Sequence, residues 1–132
     1  MSEEAVPISF LVSHPTLRGQ EIAEMLGWDP DLSWTKGEHR KLPNGRALQG
    51  VHKLDSVASV RFPTTGLKVE PELALLLDQV ESLQPQLKRI IDGGGKAEIY
   101  ISFVREAWGQ ELSAHTIRRM AALNICVSMD CY

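Results

Sequence analysis

ISFLVS at residues 8–13 and KAEIYISFVR at residues 96–105 decide the fold of this 132-residue chain, because both contain Ile-Ser-Phe and both precede an amphipathic segment. In the second stretch apolar and polar side chains alternate cleanly, which is typical of a strand with one buried face. The first stretch is mostly apolar, which favours a strand in the interior of a sheet. The near-repeat therefore predicts two strand-then-helix units, arranged as a pseudo-symmetric split βαβ sandwich.

A first helix is predicted directly after the first strand. Residues 17–26 place Ile22, Met25 and Leu26 on one face, at the spacing of an amphipathic helix. Gly27 follows at the position where a residue in the left-handed conformation commonly ends a helix. We therefore expect this helix to pack its apolar face on the sheet.

Two further helical regions follow later in the chain. The longest is predicted over residues 70–92, with Pro71 in its first turn, where the missing N–H costs nothing. Pro85 removes a backbone donor inside the apolar stripe, so it should kink or split this helix. Another helix is predicted over 113–123, with Ser113 as its cap. The helix residues expected to cover the sheet are Leu73, Leu76, Leu77, Val80, Ile117 and Met120.

The middle of the chain predicts an irregular region followed by strands. Residues 35–50 contain three glycines, one proline and many polar side chains, a composition typical of a long loop or an irregular hairpin. Asn44-Gly45 predicts a turn, because both residue types tolerate positive φ. We expect strands at 47–54 and 57–62, and a last strand at 125–131.

These elements predict an α+β fold: a ferredoxin-like sandwich with a mainly antiparallel four- or five-stranded sheet and helices packed on one face. Residues 8–13, 97–105 and 125–131 are expected to be its central strands. The chain is long enough to form one hydrophobic core without a disulfide or a structural metal. We therefore expect one domain over residues 1–132, with residues 1–7 disordered.

Composition argues against several classes of function. The chain carries 14 Lys and Arg against 17 Asp and Glu, for a net charge of −3 and a pI near 5.8, so it lacks the cationic excess typical of nucleic-acid binding. No window is apolar over the roughly 18 residues that a membrane span needs, and the amino terminus has no signal-peptide pattern. We expect a cytoplasmic protein in which Cys126 and Cys131 stay reduced and unpaired, because they point to opposite faces of one strand.

Three stretches resemble a known family over roughly residues 8–132. They are Leu26-Gly27, Pro30, Trp34 and Lys36-Gly37 after the first helix, the leucine-rich second helix, and the last strand with Tyr132 at its end. Together they resemble the bacterial family catalogued as domain of unknown function 4279. The family commonly has an aromatic residue in the strand after the loop, where this chain has Val51-His52. Since the family's function is uncharacterised, the resemblance implies no catalytic residues.

No constellation of residues predicts a reaction. The histidines lie in four different elements and lack the spacing of a metal site. The two cysteines lie in a strand with no neighbouring cation to activate either thiol. We therefore assign no catalytic residue, no metal and no cofactor. The four histidines are His14, His39, His52 and His115.

The segment from Trp28 to Arg46 is the one region where the residue types favour binding. It combines two tryptophans with several cations in a loop-rich stretch, and such side chains on loops recognise protein partners or anionic ligands. A structural alternative is that the tryptophans hold the loop on the sheet through their large apolar area. The candidate binding residues are Trp28, Trp34, Lys36, His39 and Arg40.

We favour a non-enzymatic binding module that acts through protein–protein contacts, with an immunity-like role against a toxin as one form of it. A second hypothesis is a small-ligand sensor or an enzyme, with an anion pocket at the Trp28 to Arg46 loop. A third is a structural subunit that self-associates, since an exposed sheet edge supports dimerisation. The expected partner is thus a protein, a second copy of the chain or a small anion, and neither nucleic acid nor a membrane.

Overall fold

The computed structural model describes residues 5–41, 46–51, 55–103 and 109–131. Its main feature is a mixed five-stranded sheet in the order β2-β5-β1-β6-β7, beside a separate two-stranded ribbon of β3 and β4. The α+β class and the five-stranded sheet are thereby confirmed. The strands are β1 (Ile8–His14), β2 (Leu32–Trp34), β3 (His39–Lys41), β4 (Ala47–Val51), β5 (Ser56–Phe62), β6 (Lys96–Phe103) and β7 (Ile125–Cys131).

The first strand lies at the centre of the sheet. β1 pairs antiparallel with β5 on one side and with β6 on the other, which agrees with its apolar sequence. β7 pairs parallel with β6 and ends the sheet order. The expectation that residues 125–131 form a central strand is therefore wrong, because strand order depends on distant pairing rather than on local apolar character.

The near-repeat produces two βαβ units with different geometry. In the first unit β5 lies between β1 and β2 and is antiparallel to both, so β1 and β2 form a split pair. In the second unit β6 and β7 are direct parallel neighbours, joined through a helix. The predicted split arrangement thus occurs in the first unit only, and a ferredoxin-like outline is not established by this strand order.

The helices begin and end close to the positions that the sequence predicts. Gly27 ends the first helix in the left-handed conformation, at φ 69°. The predicted long helix is interrupted at Ser82 and Leu83. Pro85 lies in the first turn of the helix that follows, where its missing N–H leaves no hydrogen bond unmade. Ser113 caps the last helix by accepting the Thr116 N–H. The helices are α1 (Gly19–Leu26), α2 (Val69–Glu81), α3 (Gln84–Asp92) and α4 (Ala114–Ala122).

The core lies between the helices and one face of the sheet. Alternate residues of β1, including Ile8, Phe10 and Val12, are completely buried there. From α4 the core takes Met120, as predicted, whereas Ile117 is 51% exposed and its predicted place in the core is wrong. Four of the predicted core residues on α2 are buried: Leu73, Leu76, Leu77 and Val80.

The amino termini of α2 and α4 cap each other. The Gln110 side chain, just before α4, accepts the Val69 N–H at 2.6 Å and donates to the Leu67 carbonyl. In return Glu70 of α2 accepts the Ser113 N–H at 2.8 Å and the hydroxyl of Thr116. Backbone donors that have no partner inside their own helices are thereby satisfied. These bonds lower the pKa of Glu70, the Thr116 hydroxyl most and the Ser113 N–H next.

We expect this cap to weaken on acidification. Because the pKa of Glu70 is lowered in the folded chain, its contribution to stability is complete above the ordinary carboxyl range and is lost as pH falls through the folded value. Glu70→Gln should lower the free energy of unfolding by about 1 kcal/mol at neutral pH. Urea unfolding over a pH series should show this difference shrinking in acid, and a difference that stays constant with pH would contradict the cap.

Some predictions fall on residues that the structure does not describe. They are the turn at Asn44-Gly45, residues 52–54 of the predicted strand 47–54 with His52, residues 104–105 of the strand 96–105, the disorder of residues 1–4, and Tyr132.

Candidate functional site

Trp28 lies on the helix side of the sheet. Its ring meets the ring of Phe10 edge to face, with centroids 5.3 Å apart and planes at 82°, a favourable aromatic geometry. The ring is half-buried and packs against the hydrophobic core. Trp28 therefore holds the chain after α1 on the sheet, as the structural alternative for the tryptophans expects.

Trp34 lies on the other side of the sheet, at the end of β2. It pairs with Val57 of β5, whose neighbours Ser56 and Ala58 face the core side, so Trp34 and Val57 face away from it. The indole Nε1–H donates to the Asp55 carbonyl at 3.0 Å. Trp34 thus attaches the edge strand β2 to the beginning of β5.

Lys36 also contacts the beginning of β5. Its backbone N–H donates to the Ser56 hydroxyl at 2.9 Å, and its Nζ lies 4.0 Å from the Asp55 carboxylate. The side chain is about half exposed, so this ion pair adds little stability. Lys36 and Trp34 therefore converge on Asp55, one by its ammonium group and one by its indole N–H.

The candidate binding residues do not gather in one pocket as far as the structure describes them. Trp28 and Trp34 lie on opposite sides of the sheet, and Lys36 is beside a carboxylate. His39 and Arg40 belong to β3, which pairs with β4, and their side chains lie outside the described part. The binding role of these five residues stays a prediction.

A different group of side chains occupies the sheet face that points away from the core, which we call the outer face. Along β1 and β6 its residues alternate with the buried ones. Ser9 of β1 lies opposite Arg61 of β5 on one side and opposite Tyr100 of β6 on the other. Ser128 of β7 pairs with Tyr100. Arg61, Ser9, Tyr100 and Ser128 thus form one row across four strands.

A hollow opens in this row because Ser9 is small. It has a volume of about 320 Å³. The Arg61 and Tyr100 side chains flank it, and the small Ser9 lies between them. The lining residues are Pro7, Ser9, Arg61, Tyr100 and Ser102. The hollow is therefore a shallow polar depression with a cation on one side and a phenol on the other.

Tyr100 is held in place by an acidic neighbour. Its hydroxyl donates to the Asp130 carboxylate at 2.7 Å, and this bond raises the pKa of Tyr100. From the same row the Ser128 hydroxyl donates to Glu98, which lies in the next row. Both carboxylates therefore have a hydroxyl partner on the outer face.

Arg61 is the cation of the row that it forms with Ser9, Tyr100 and Ser128. Its backbone N–H donates to the Asp31 carboxylate, but its guanidinium group makes no ion pair with any residue that the structure describes. The residue is exposed. An arginine fork of this kind can bind a carboxylate through two parallel hydrogen bonds.

Sequence reasoning did not single out Arg61 or Tyr100. Each is a polar member of an alternating strand, so each looked like ordinary solvent-facing surface. The two residues are brought together only because β1 inserts between β5 and β6. The available signal was the combination of a tyrosine and an arginine on the polar sides of strands, which are residue types enriched at interface hot spots.

The histidines do not form a metal site in the described ranges. His14 is buried, and its Nδ1 accepts the N–H groups of Thr16 and Leu17, both at 3.0 Å. His115 is exposed on α4. Within those ranges, no three His, Cys, Asp or Glu side chains are placed to hold a metal ion. None of the described helices has the length and apolar character needed to cross a bilayer.

Comparisons with known proteins give one match. No curated protein and no solved structure matches the chain. The model of a family described as a domain of unknown function, DUF4279, matches residues 4–132. The match covers nearly the whole sequence and agrees with the resemblance carried by the first helix and its following loop. The chain belongs to the DUF4279 family.

Proposed function

We propose that this chain is a non-enzymatic binding module that contacts a protein partner through the outer face of its sheet. The observation that carries the proposal is the pairing of Arg61 and Tyr100 across Ser9. Arginine and tyrosine are two of the three residue types that contribute most binding energy at protein interfaces. Both side chains project from strands rather than from loops, so binding does not have to order the backbone that carries them.

The guanidinium group of Arg61, which forms no ion pair with any described residue, suggests the chemistry of the partner. The flanking acids already accept hydroxyl groups, Asp130 from Tyr100 and Glu98 from Ser128. Hydrogen bonds from hydroxyls leave those carboxylates negative, and Arg61 is the cation that lines the hollow, so we expect the partner to place an Asp or Glu side chain against its guanidinium group. The carboxylate would bind Arg61, and the adjoining residues would pack on the phenol ring of Tyr100.

An immunity-like role is a narrower form of this proposal, in which the protein partner is a toxin. The small size and the acidic net charge of the chain support this form. The identity of the partner shows whether it is a toxin or another protein. The first experiment therefore identifies the partner, and binding by Arg61 and Tyr100 variants is measured afterwards.

The test is affinity purification from the native host with tagged wild-type chain and two variants. Arg61→Ala should lose any partner bound through the outer face. Arg89→Ala removes the same charge from the exposed surface of α3 and should retain it. For a recovered partner, titration of the purified proteins should give a loss of about 2 kcal/mol or more for Arg61→Ala, roughly 30-fold in Kd.

Tyr100→Ala tests the same binding site independently of Arg61. It should weaken the same complex, because the partner loses the phenol ring and Asp130 loses its hydroxyl donor. Circular dichroism should show each variant folded. The proposal fails if every protein recovered with wild-type chain binds Arg61→Ala and Tyr100→Ala as tightly.

A further inference from the structure

We propose that β7 pairs antiparallel with β7 of a second copy of the chain, so that two sheets join into one. This surface is the edge of the sheet and is distinct from the hollow between Arg61 and Tyr100. The proposal starts from the sheet order, in which β7 pairs with β6 on one side and is the last strand that the structure describes on the other. Its outward backbone groups are available for another strand.

β7 lacks most of the features that usually protect a sheet edge. It is seven residues long, contains no lysine or proline, and pairs with β6 without a bulge. The opposite edge strand, β2, has only three residues. The single charged residue of β7, Asp130, accepts the hydroxyl of Tyr100. β7 is therefore the edge of this sheet that is suited to pairing.

The sequence of β7 is complementary to itself when two copies cross at Ser128. On the outer face Ser128 would meet Ser128 of the second copy, and Cys126 would meet Asp130. On the core side Val127 would meet Met129, so apolar residues face each other. This register brings no two like charges together, which favours a second copy over a partner strand of unrelated sequence.

Two of the exposed apolar side chains belong to β7 and to the helix that contacts it. Among the described residues, four large hydrophobic side chains are exposed: Leu67, Leu75, Ile117 and Met129. Met129 belongs to β7, and Ile117 belongs to α4, the helix that packs on β7. Pairing of two β7 strands would cover Met129 and bring the α4 helices of the two copies to the same side, since antiparallel pairing keeps both core faces together.

Sedimentation velocity tests the oligomeric state. Wild-type chain should sediment as a dimer at micromolar concentration. Met129→Lys should raise the Kd of dimerisation roughly tenfold or more, because the charge would have to be desolvated against Val127 of the second copy. Leu75→Lys places the same charge at an exposed position on α2 and should leave the dimer intact.

A cross-link tests the register. In a chain carrying Cys126→Ser and Cys131→Ser, Ser128→Cys should form a disulfide-linked dimer on oxidation, because residues directly opposite in antiparallel strands lie within disulfide distance. Ser102→Cys in the same chain is on the outer face of β6, inside the sheet, and should give no disulfide-linked dimer on oxidation.

Three results would overturn the proposal. They are a monomeric wild-type chain at micromolar concentration, a dimer that Met129→Lys leaves unchanged, and equal cross-linking of the Ser128→Cys and Ser102→Cys chains. None of them affects the binding measurements on Arg61→Ala, so failure of the dimer and failure of the proposed partner site can be told apart.

Discussion

Phe10→Ala should lower the free energy of unfolding by about 3 to 5 kcal/mol, the range for truncating a buried aromatic side chain. Phe10 is completely buried in the central strand β1 and supports the ring of Trp28. The substitution removes that contact and leaves a cavity between sheet and helices. For a domain whose total stability is of the order of 5 to 15 kcal/mol, this is a large fraction.

Denaturant unfolding followed by tryptophan fluorescence measures the effect, since Trp28 reports on the site directly. Phe10→Leu is the matched control, because it keeps most of the volume and should lose less than about 1.5 kcal/mol. If the alanine and leucine variants were equally stable, Phe10 would not have the central place in the core that the structure gives it.

Gly19→Ala is the second substitution with a large expected effect. A Cβ atom on Gly19 would lie 2.5 Å from the Trp34 carbonyl oxygen and 2.9 Å from that of Val57. Both neighbours are backbone atoms of β2 and β5, so neither can move without disturbing the sheet. We expect a loss of about 3 kcal/mol, at the upper end for overpacking, together with displacement of Trp34.

Gly27→Ala is the control for the general cost of replacing a glycine. Gly27 has nothing within 4 Å of an added Cβ, but its φ of 69° is unfavourable for alanine. The expected loss is about 1 to 2 kcal/mol. Thermal unfolding of both variants should therefore rank Gly19→Ala as less stable, and the opposite ranking would contradict the close approach of α1 to the sheet.

Local patterns predicted the elements of this fold well. Alternation located β5 and β6, and Gly27 and Pro85 marked a helix end and a helix break. Each of these signals acts through the conformation of neighbouring residues, so a short stretch of sequence contains it.

Properties that depend on distant pairing could not be predicted in this way. The strand 125–131 alternates as a central strand would, yet it lies at the edge of the sheet. Ile117 has helical spacing to Met120 but faces solvent, because the buried positions of α4 are Thr116 and Met120. The face of a helix or strand that packs on the core depends on the other helices and strands that it contacts.

The candidate site shows the same limit. Trp28 and Trp34 are six residues apart in sequence, yet the turn into β2 places them on opposite sides of the sheet. Arg61 and Tyr100 are far apart in sequence and become neighbours across Ser9. Distance along the sequence therefore does not show which side chains become neighbours on the sheet.

The central position of β1 also has a consequence for biosynthesis. Its two neighbours are β5 and β6, so its antiparallel pairing is complete only after the ribosome has made residue 101. Until then a nascent chain carries the apolar stripe of Ile8, Phe10 and Val12 without a finished sheet to cover it. Such intermediates bind chaperones and aggregate readily. The sheet of this chain is therefore expected to be completed only late in translation.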